Sequence, residues 1–239
     1  DTGKGRLQAL DVAWDTIDKR WFHLYPDSDT SASNGLHWSG PYKNWNGRCA
    51  ECHATGFVKN YDAQTRRYAS TQAEIGVGCE ACHGPGEQHL AWADAAAQDL
   101  DRLAEPGKGL MVDLADRDGG SWVIDADSGK PRRTVPREKR VQIELCARCH
   151  ARRGQIWEDY EYGKPLGNTH RLALLEPHLY FPDGQIKDEV YVYGSFIQSK
   201  MYRAGVTCKD CHEPHSLELR AEGNAVCSTC HLPVRYDTS

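Results

Sequence analysis

Cys208-Lys-Asp-Cys211-His212 and Cys227-Ser-Thr-Cys230-His231 are two copies of one pattern, and three more precede them: Cys49-Ala-Glu-Cys52-His53, Cys79-Glu-Ala-Cys82-His83 and Cys146-Ala-Arg-Cys149-His150. Cys-x-x-Cys-His is the attachment sequence of haem c. Its two thiols add to the vinyl groups of one porphyrin, and the adjoining imidazole ligates the iron. Ten cysteines in pairs would also suit structural zinc or a disulfide framework. Every pair here is followed at once by His, a coincidence of roughly one in several million, so the pattern is read as five haem sites. No thiol is left over for a bridge or a nucleophile, and no motif carries Lys at the ligand position.

The rest of the composition fits a chain folded on cofactors. Leu, Ile, Val and Phe make up roughly 17% of the 239 residues, near the level of disordered chains, while a formal charge of -5 is too small to explain disorder. Five porphyrins would supply the missing apolar surface. The expected fold is therefore a multihaem cytochrome c, mainly α and irregular with a few short β-hairpins, its core built on stacked haems. The expected organisation is a single pentahaem domain over residues 1–239.

Covalent haem attachment in bacteria is completed outside the cytoplasmic membrane, so the protein is expected to be exported, periplasmic or extracellular. No run of 18 apolar residues occurs, so no direct membrane span is expected. Haem propionates deepen the acidic balance, which argues against nucleic acid as a partner.

Outward from the motifs, Leu7–Trp14 and Arg20–Tyr25 are β-prone runs flanking Asp15-Thr-Ile-Asp-Lys19, the pattern of a hairpin. His23 lies in the second run and is a candidate iron ligand. Residues 27–35 are rich in Asp, Ser, Thr, Asn and Gly and read as a loop. His37 follows among aromatic residues suited to cover a porphyrin face, and is a second candidate.

Four stretches carry a family resemblance: His37-Trp-Ser-Gly-Pro-Tyr-Lys-Asn-Trp-Asn46, Cys49-Ala-Glu-Cys-His-Ala-Thr55, Glu74-Ile-Gly-Val-Gly-Cys-Glu-Ala-Cys-His-Gly-Pro-Gly86 with His89, and Tyr191-Val-Tyr-Gly-Ser-Phe-Ile-Gln-Ser-Lys-Met201. The chain resembles the multihaem cytochromes c found beside tetratricopeptide repeats. These are similar in turn to the wider group containing the tetrahaem cytochrome of ammonia oxidisers, hydroxylamine oxidoreductase and octahaem reductases. Members usually have a further haem motif ahead of the hairpin and repeats after the segment matching Tyr236, and neither occurs here, which suggests a trimmed chain or a separate lineage. The resemblance implies that His89 is a distal ligand, expected to serve the haem of Cys49 and Cys52. It also favours His170 over His178 in Thr169-His-Arg-Leu-Ala-Leu-Leu-Glu-Pro-His178. His215, in Cys208-Lys-Asp-Cys-His-Glu-Pro-His215, has a form common among multihaem cytochromes and is expected to ligate a neighbouring haem.

Further elements are legible from punctuation. Glu87–Leu103 is Ala-rich and reads as a helix ahead of Pro106-Gly107. Ser121–Thr134 reads as a hairpin turning through Asp125–Gly129, Leu179–Tyr193 as another turning at Pro182-Asp-Gly184, and Ser195–Ala204 as a helix stopped by Gly205. Met111 and Met201 are expected to fill core gaps. The basic residues Arg132, Arg133, Arg137, Lys139, Arg140, Arg152 and Arg153 suit an anionic substrate or partner, but are read first as partners of propionates and as solvated charge.

Outside the motifs stand six histidines, His23, His37, His89, His170, His178 and His215, for five irons. Five bis-histidine haems would leave one imidazole over and no open position for substrate. Electron transfer between redox partner proteins is the expected function. The alternative is a multihaem oxidoreductase acting on a small nitrogen or sulfur oxyanion at an open haem. A further expectation is head-to-tail polymerisation into an extracellular filament, with His23 reaching an iron of the next subunit.

Overall fold

The computed structural model describes residues 1–28, 31–173 and 175–236. The chain divides into two compact units, Asp1–Ala81 and Cys82–Ser239.

In the first unit, β1 (Val12–Asp15) and β2 (Arg20–His23) form the expected hairpin, shorter than its β-prone runs. Asp15 closes the turn by accepting the backbone N–H groups of Ile17 and Asp18 at 2.8 and 3.0 Å. Trp14 faces Trp21 across the strands with ring centroids 5.4 Å apart, edge-on. Of the loop expected at 27–35, residues 29 and 30 lie outside the described residues.

The first haem motif enters through a π turn, Trp45–Cys49, and continues as α1 (Ala50–His53). Asn44 caps the turn by accepting from Gly47 at 3.1 Å. Buried Asn46 accepts the Leu7 N–H at 2.7 Å and donates to Ser70 Oγ at 2.9 Å, so one amide pins the motif to two remote segments. Behind α1 runs a ribbon not foreseen from the sequence. β3 (Ala54–Thr55) pairs with β6 (Glu74–Ile75), β4 (Tyr61–Asp62) with β5 (Arg67–Tyr68), and a Val58–Thr71 bridge lies between them. The ribbon brings the segment leading to the second motif back beside the end of the first. Thr55 Oγ1 donates to Gly76 O and accepts from Gly78 N, both at 2.8 Å. The second motif is itself α2 (Cys79–His83), and the unit boundary falls within it.

In the second unit, α3 (Glu87–Gln98) ends five residues short of the expected Leu103. Asp99 leaves the helical region and caps a separate 3₁₀ turn, Leu100–Ala104, because its carboxylate competes for the Asp101 N–H at 3.2 Å. The expected hairpin follows as β7 (Trp122–Ile124) and β8 (Pro131–Arg133), closed by Asp125, which accepts from Ser128 N and Oγ at 2.9 and 2.7 Å. The third motif ends α4 (Val141–His150), which buries Ile143, Leu145 and Ala147. β9 (Arg153–Gln155) then pairs with β10 (His170–Leu172).

Two sequence expectations are corrected beyond this point. Between Leu179 and Tyr193 the chain makes a tight turn with a Tyr180–Ile186 bridge rather than a hairpin ladder, since Leu179, Tyr180 and Val190 pack together as a small core instead of alternating across strands. Ser195–Ala204 is two short helices, α5 (Tyr193–Phe196) and α6 (Lys200–Arg203), because Ser199 adopts an extended backbone and caps the second by accepting from Tyr202 N at 3.0 Å. Gly205, at φ +92°, stops α6 as expected. The fourth motif is α7 (Cys208–Cys211), followed by the ribbon of β11 (His212–Glu213) and β12 (Glu218–Leu219). The fifth lies on α8 (Ala225–Ser228), and α9 (Pro233–Tyr236) closes the described chain.

Short helices and two-stranded ribbons thus make an irregular mixed fold with little apolar packing of its own. Among the described residues twelve hydrophobic side chains are buried, and five of them are alanines. The accessible surface is 16431 Å², where a folded monomer of this mass exposes about 10,800 Å². Met111 and Met201, expected to fill core gaps, are instead exposed.

Candidate haem centre

Each motif places its thiols where a planar ligand can reach them. Cys79, Cys82 and Cys227 are exposed and the other seven cysteines half-buried. Large apolar side chains around the motifs face outward: Ile75 and Val77 ahead of Cys79, Leu90 beside His89, and Leu217, which is 88% exposed, beyond His212. Thiols in reach and an uncovered apolar rim fit a porphyrin.

In the second unit the attachment points converge. The Cys146 thiol of the third motif and the Cys208 thiol of the fourth are hydrogen-bond partners. That contact and burial push Cys146 up, while the same contact holds Cys208 below its ordinary value. Cys146 also feels Cys82 of the second motif, and Cys211 of the fourth feels both Cys227 and Cys230 of the fifth. Lys209 N donates to Gln142 Oε1 at 3.2 Å, tying α7 to α4. Four motifs that span 150 residues of sequence are thus brought into one run of neighbours.

The histidines differ in which ring nitrogen the protein occupies, and this decides what each can do. An imidazole that ligates iron through Nε2 carries its proton on Nδ1 and donates it to an acceptor. His83 does so, with Nδ1 2.8 Å from Val112 O. His89, in the first turn of α3, does so with Nδ1 2.7 Å from Lys108 O. His215 has Nδ1 3.3 Å from a Glu213 carboxylate oxygen. All three keep Nε2 for a metal.

Histidines 23, 37, 170 and 178 are placed otherwise. His23 Nδ1 accepts the Tyr25 N–H at 3.0 Å, which puts the proton of the neutral ring on Nε2. His37 Nδ1 lies 2.7 Å from Ser39 Oγ. His23 and His37, expected separately, line one surface cavity of about 270 Å³ with Leu10, Asp11, Val12 and Trp38. Asp11 in its lining pairs with buried Lys43 at 2.8 Å, with the ammonium 4.3 Å from the centre of the Tyr25 ring. Burial opposes the charge on Lys43, but Asp11 and Tyr25 hold its pKa above the ordinary value. His170 is 2% exposed, with Nδ1 2.9 Å from Thr169 Oγ1 and its ring edge-on to Tyr160. His178 is exposed and turns Nε2 toward Glu176 at 3.6 Å. The ring of His53, in the first motif, lies 6.2 Å from that of Trp45, centroid to centroid; His150, at the end of α4, and His212, opening β11, are exposed. His231 follows α8 and is half-buried.

The basic run is largely spent within the protein. Arg137 is buried and binds Asp210 (2.8 Å), Asp116 (2.6 Å) and Gly205 O (2.6 Å). Arg133 binds Asp118 at 2.6 Å, Arg132 lies 3.3 Å from Asp125, and Arg140 stacks 4.1 Å over Tyr202. Arg152 donates to Glu189 O at 3.1 Å and Arg153 to Arg148 O. The two buried arginines therefore pair with protein carboxylates. Nothing in the motif spacing marks Asp116 or Asp118 as their partners.

No helix among the described residues is long and apolar enough to cross a membrane. No curated protein matches the chain. Among solved structures it is similar to the outer cell wall cytochrome OcwA, with TM-score 0.47 and 17% identity over 90% of this chain and 40% of that one. It is also similar to an undecahaem cytochrome from the S-layer of Carboxydothermus ferrireducens, with TM-score 0.35 and 23% identity over 94% of this chain and 33% of that one. The chain therefore spans well under half the length of either. Residues 19–84 match the family model of cytochrome c554 and c-prime, and residues 200–235 match that of the doubled CXXCH motif. These two segments hold the first, second, fourth and fifth attachment motifs, with the thiols exposed or half-buried, and the chain is a multihaem c-type cytochrome.

Proposed function

We propose that this protein carries electrons through five covalently bound haems, each closed by two imidazoles, as one cofactor-centred domain over residues 1–239. The convergence of the attachment thiols supports this reading most directly: Cys146 against Cys208, and Cys211 beside Cys227 and Cys230, anchor successive cofactors as neighbours. When bound, haem c supplies a one-electron iron couple. The ten cysteines hold it; His53, His83, His150, His212 and His231 are the proximal ligands, and His23, His37, His89, His170 and His215 the distal ones. The exposed apolar rim is the surface that stacked haems would cover. His178 is the spare imidazole, its Nε2 already turned to Glu176.

Export to the periplasm or cell exterior, kinship with the tetratricopeptide-repeat-associated cytochromes and exchange with redox partner proteins belong to the same proposal. So does a filament of copies in contact, for which the hairpin of β1 and β2 offers a surface: Ile17 and Trp21 are 88% and 67% exposed. His23 would reach a neighbour's iron only after giving up its Tyr25 contact.

Optical and electron paramagnetic spectra of the full holoprotein test the function. The expected result is about five low-spin haems per chain with no stoichiometric carbon monoxide binding. A strong high-spin ferric signal with carbon monoxide binding would favour the oxidoreductase instead.

A further inference from the structure

His83 closes the second motif at the end of α2, and His215 sits at the tip of the turn between β11 and β12. Their rings are 6.2 Å apart, centroid to centroid, with planes only 7° from parallel. A metal–imidazole nitrogen bond of about 2.0 Å and a further ~1.1 Å from nitrogen to ring centre place two imidazoles on one metal about 6.2 Å apart. Offset stacking of two rings falls in the same broad range, so the spacing alone does not decide. The nitrogens do. His83 spends Nδ1 on Val112 O at 2.8 Å, and His215 has Nδ1 on Glu213 Oε1 at 3.3 Å, so both rings keep Nε2 for a third body.

Resting on the carrier reading above, the geometry points to His83 and His215 as the two residues that would ligate the iron of the haem attached through Cys79 and Cys82, with Glu213 as the residue that positions and polarises His215.

The turn is built to hold this position. Glu213 Oε2 is braced by Arg220 Nη2 at 3.1 Å, and Leu217 N donates to Glu213 O at 3.0 Å, with Leu217 itself at φ +63°. A carboxylate on Nδ1 makes the imidazole a stronger donor and favours the ferric state, which lowers that haem's potential. His83 has a neutral carbonyl at the same place, so the two ligands of one haem differ in donor strength. His212 opens the same ribbon three residues before His215. One short segment therefore serves two haems, those of the second and fourth motifs, which are consecutive neighbours on an electron path.

The test uses the full holoprotein. His215→Ala should convert one haem in five to high spin, with loss of one rhombic low-spin signal of the kind that near-parallel imidazole planes produce, and imidazole in solution should restore it. His83→Gly should convert one haem as well. The double variant should still convert only one, because both ligands serve the same iron; two converted haems overturn the pairing. If His83→Gly fails to mature, Glu213→Gln decides. It should keep five low-spin haems and raise the potential of one, whereas five unchanged potentials, or a His215→Ala protein with all haems low-spin, overturn the inference. Either outcome in a wild-type protein with five low-spin haems leaves the carrier reading standing. A wild-type high-spin haem overturns that reading and not the pairing.

Discussion

Arg137 joins the fourth motif to a remote segment by one guanidinium: Nη1 lies 2.8 Å from Asp210 Oδ2, inside that motif, and Nη2 lies 2.6 Å from Asp116, on the chain leading to the hairpin of β7 and β8. Asp210 also accepts Trp122 Nε1 at 3.1 Å and the Thr207 N–H at 2.7 Å. The middle of Cys208-Lys-Asp-Cys211 is therefore a structural anchor as well as a spacer.

Arg137→Met should take the buried guanidinium, whose side chain is only 4% exposed, from half-buried Asp210 and more exposed Asp116. The expected cost is about 1–3 kcal/mol, read from denaturant unfolding of the holoprotein. Little change in the midpoint would show that the network is solvated in solution.

The same network makes the protein acid-sensitive. Burial by itself would raise the pKa of Asp116, but Arg137 and Lys209 outweigh it and hold the carboxyl below its ordinary value. A depressed folded-state pKa contributes stability that is present above the unfolded value of about 3.9 and is lost as pH falls through the folded one. Unfolding midpoints should drop below about pH 4, and Asp116→Asn should flatten that drop.

In the first unit, Lys43→Met removes the partner of buried Asp11, which lines the cavity with His23 and His37. The expected loss is about 3–5 kcal/mol, because both members of this pair are buried, and it is confined to the first unit. Limited proteolysis should therefore cut within residues 1–81 before it cuts the remainder.

His89→Ala should open one iron without detaching its haem, because the ring is held by Lys108 O and not by the attachment thiols. His178→Ala should leave the spectrum unchanged and His170→Ala should convert one haem to high spin. The reverse pattern in resting ferric spectra would exchange the ligand and the spare.

The five Cys-x-x-Cys-His motifs were legible in the sequence because thioether attachment needs two thiols and an imidazole at fixed spacing, whatever surrounds them. Turns closed by a nearby side chain were legible for a similar reason: Asp15 and Asp125 each satisfy backbone N–H groups two or three residues on. The breaks at Asp99 and Ser199 use the same chemistry, yet Ala-rich and aromatic runs on either side masked them. The ribbon behind α1 could have been found from Tyr61-Asp62, where Asp62 accepts from Gln64 and Thr65 before Arg67-Tyr68 returns.

What pairs with what was decided by tertiary structure alone. Arg137 meets Asp210 across 73 residues and Trp122 meets Asp210 across 88, while the rings of His83 and His215 lie 6.2 Å apart. Local spacing records which groups a chain carries and what chemistry they offer. It holds no record of how far apart they end, because that distance follows from the packing of segments whose contacts are remote in sequence.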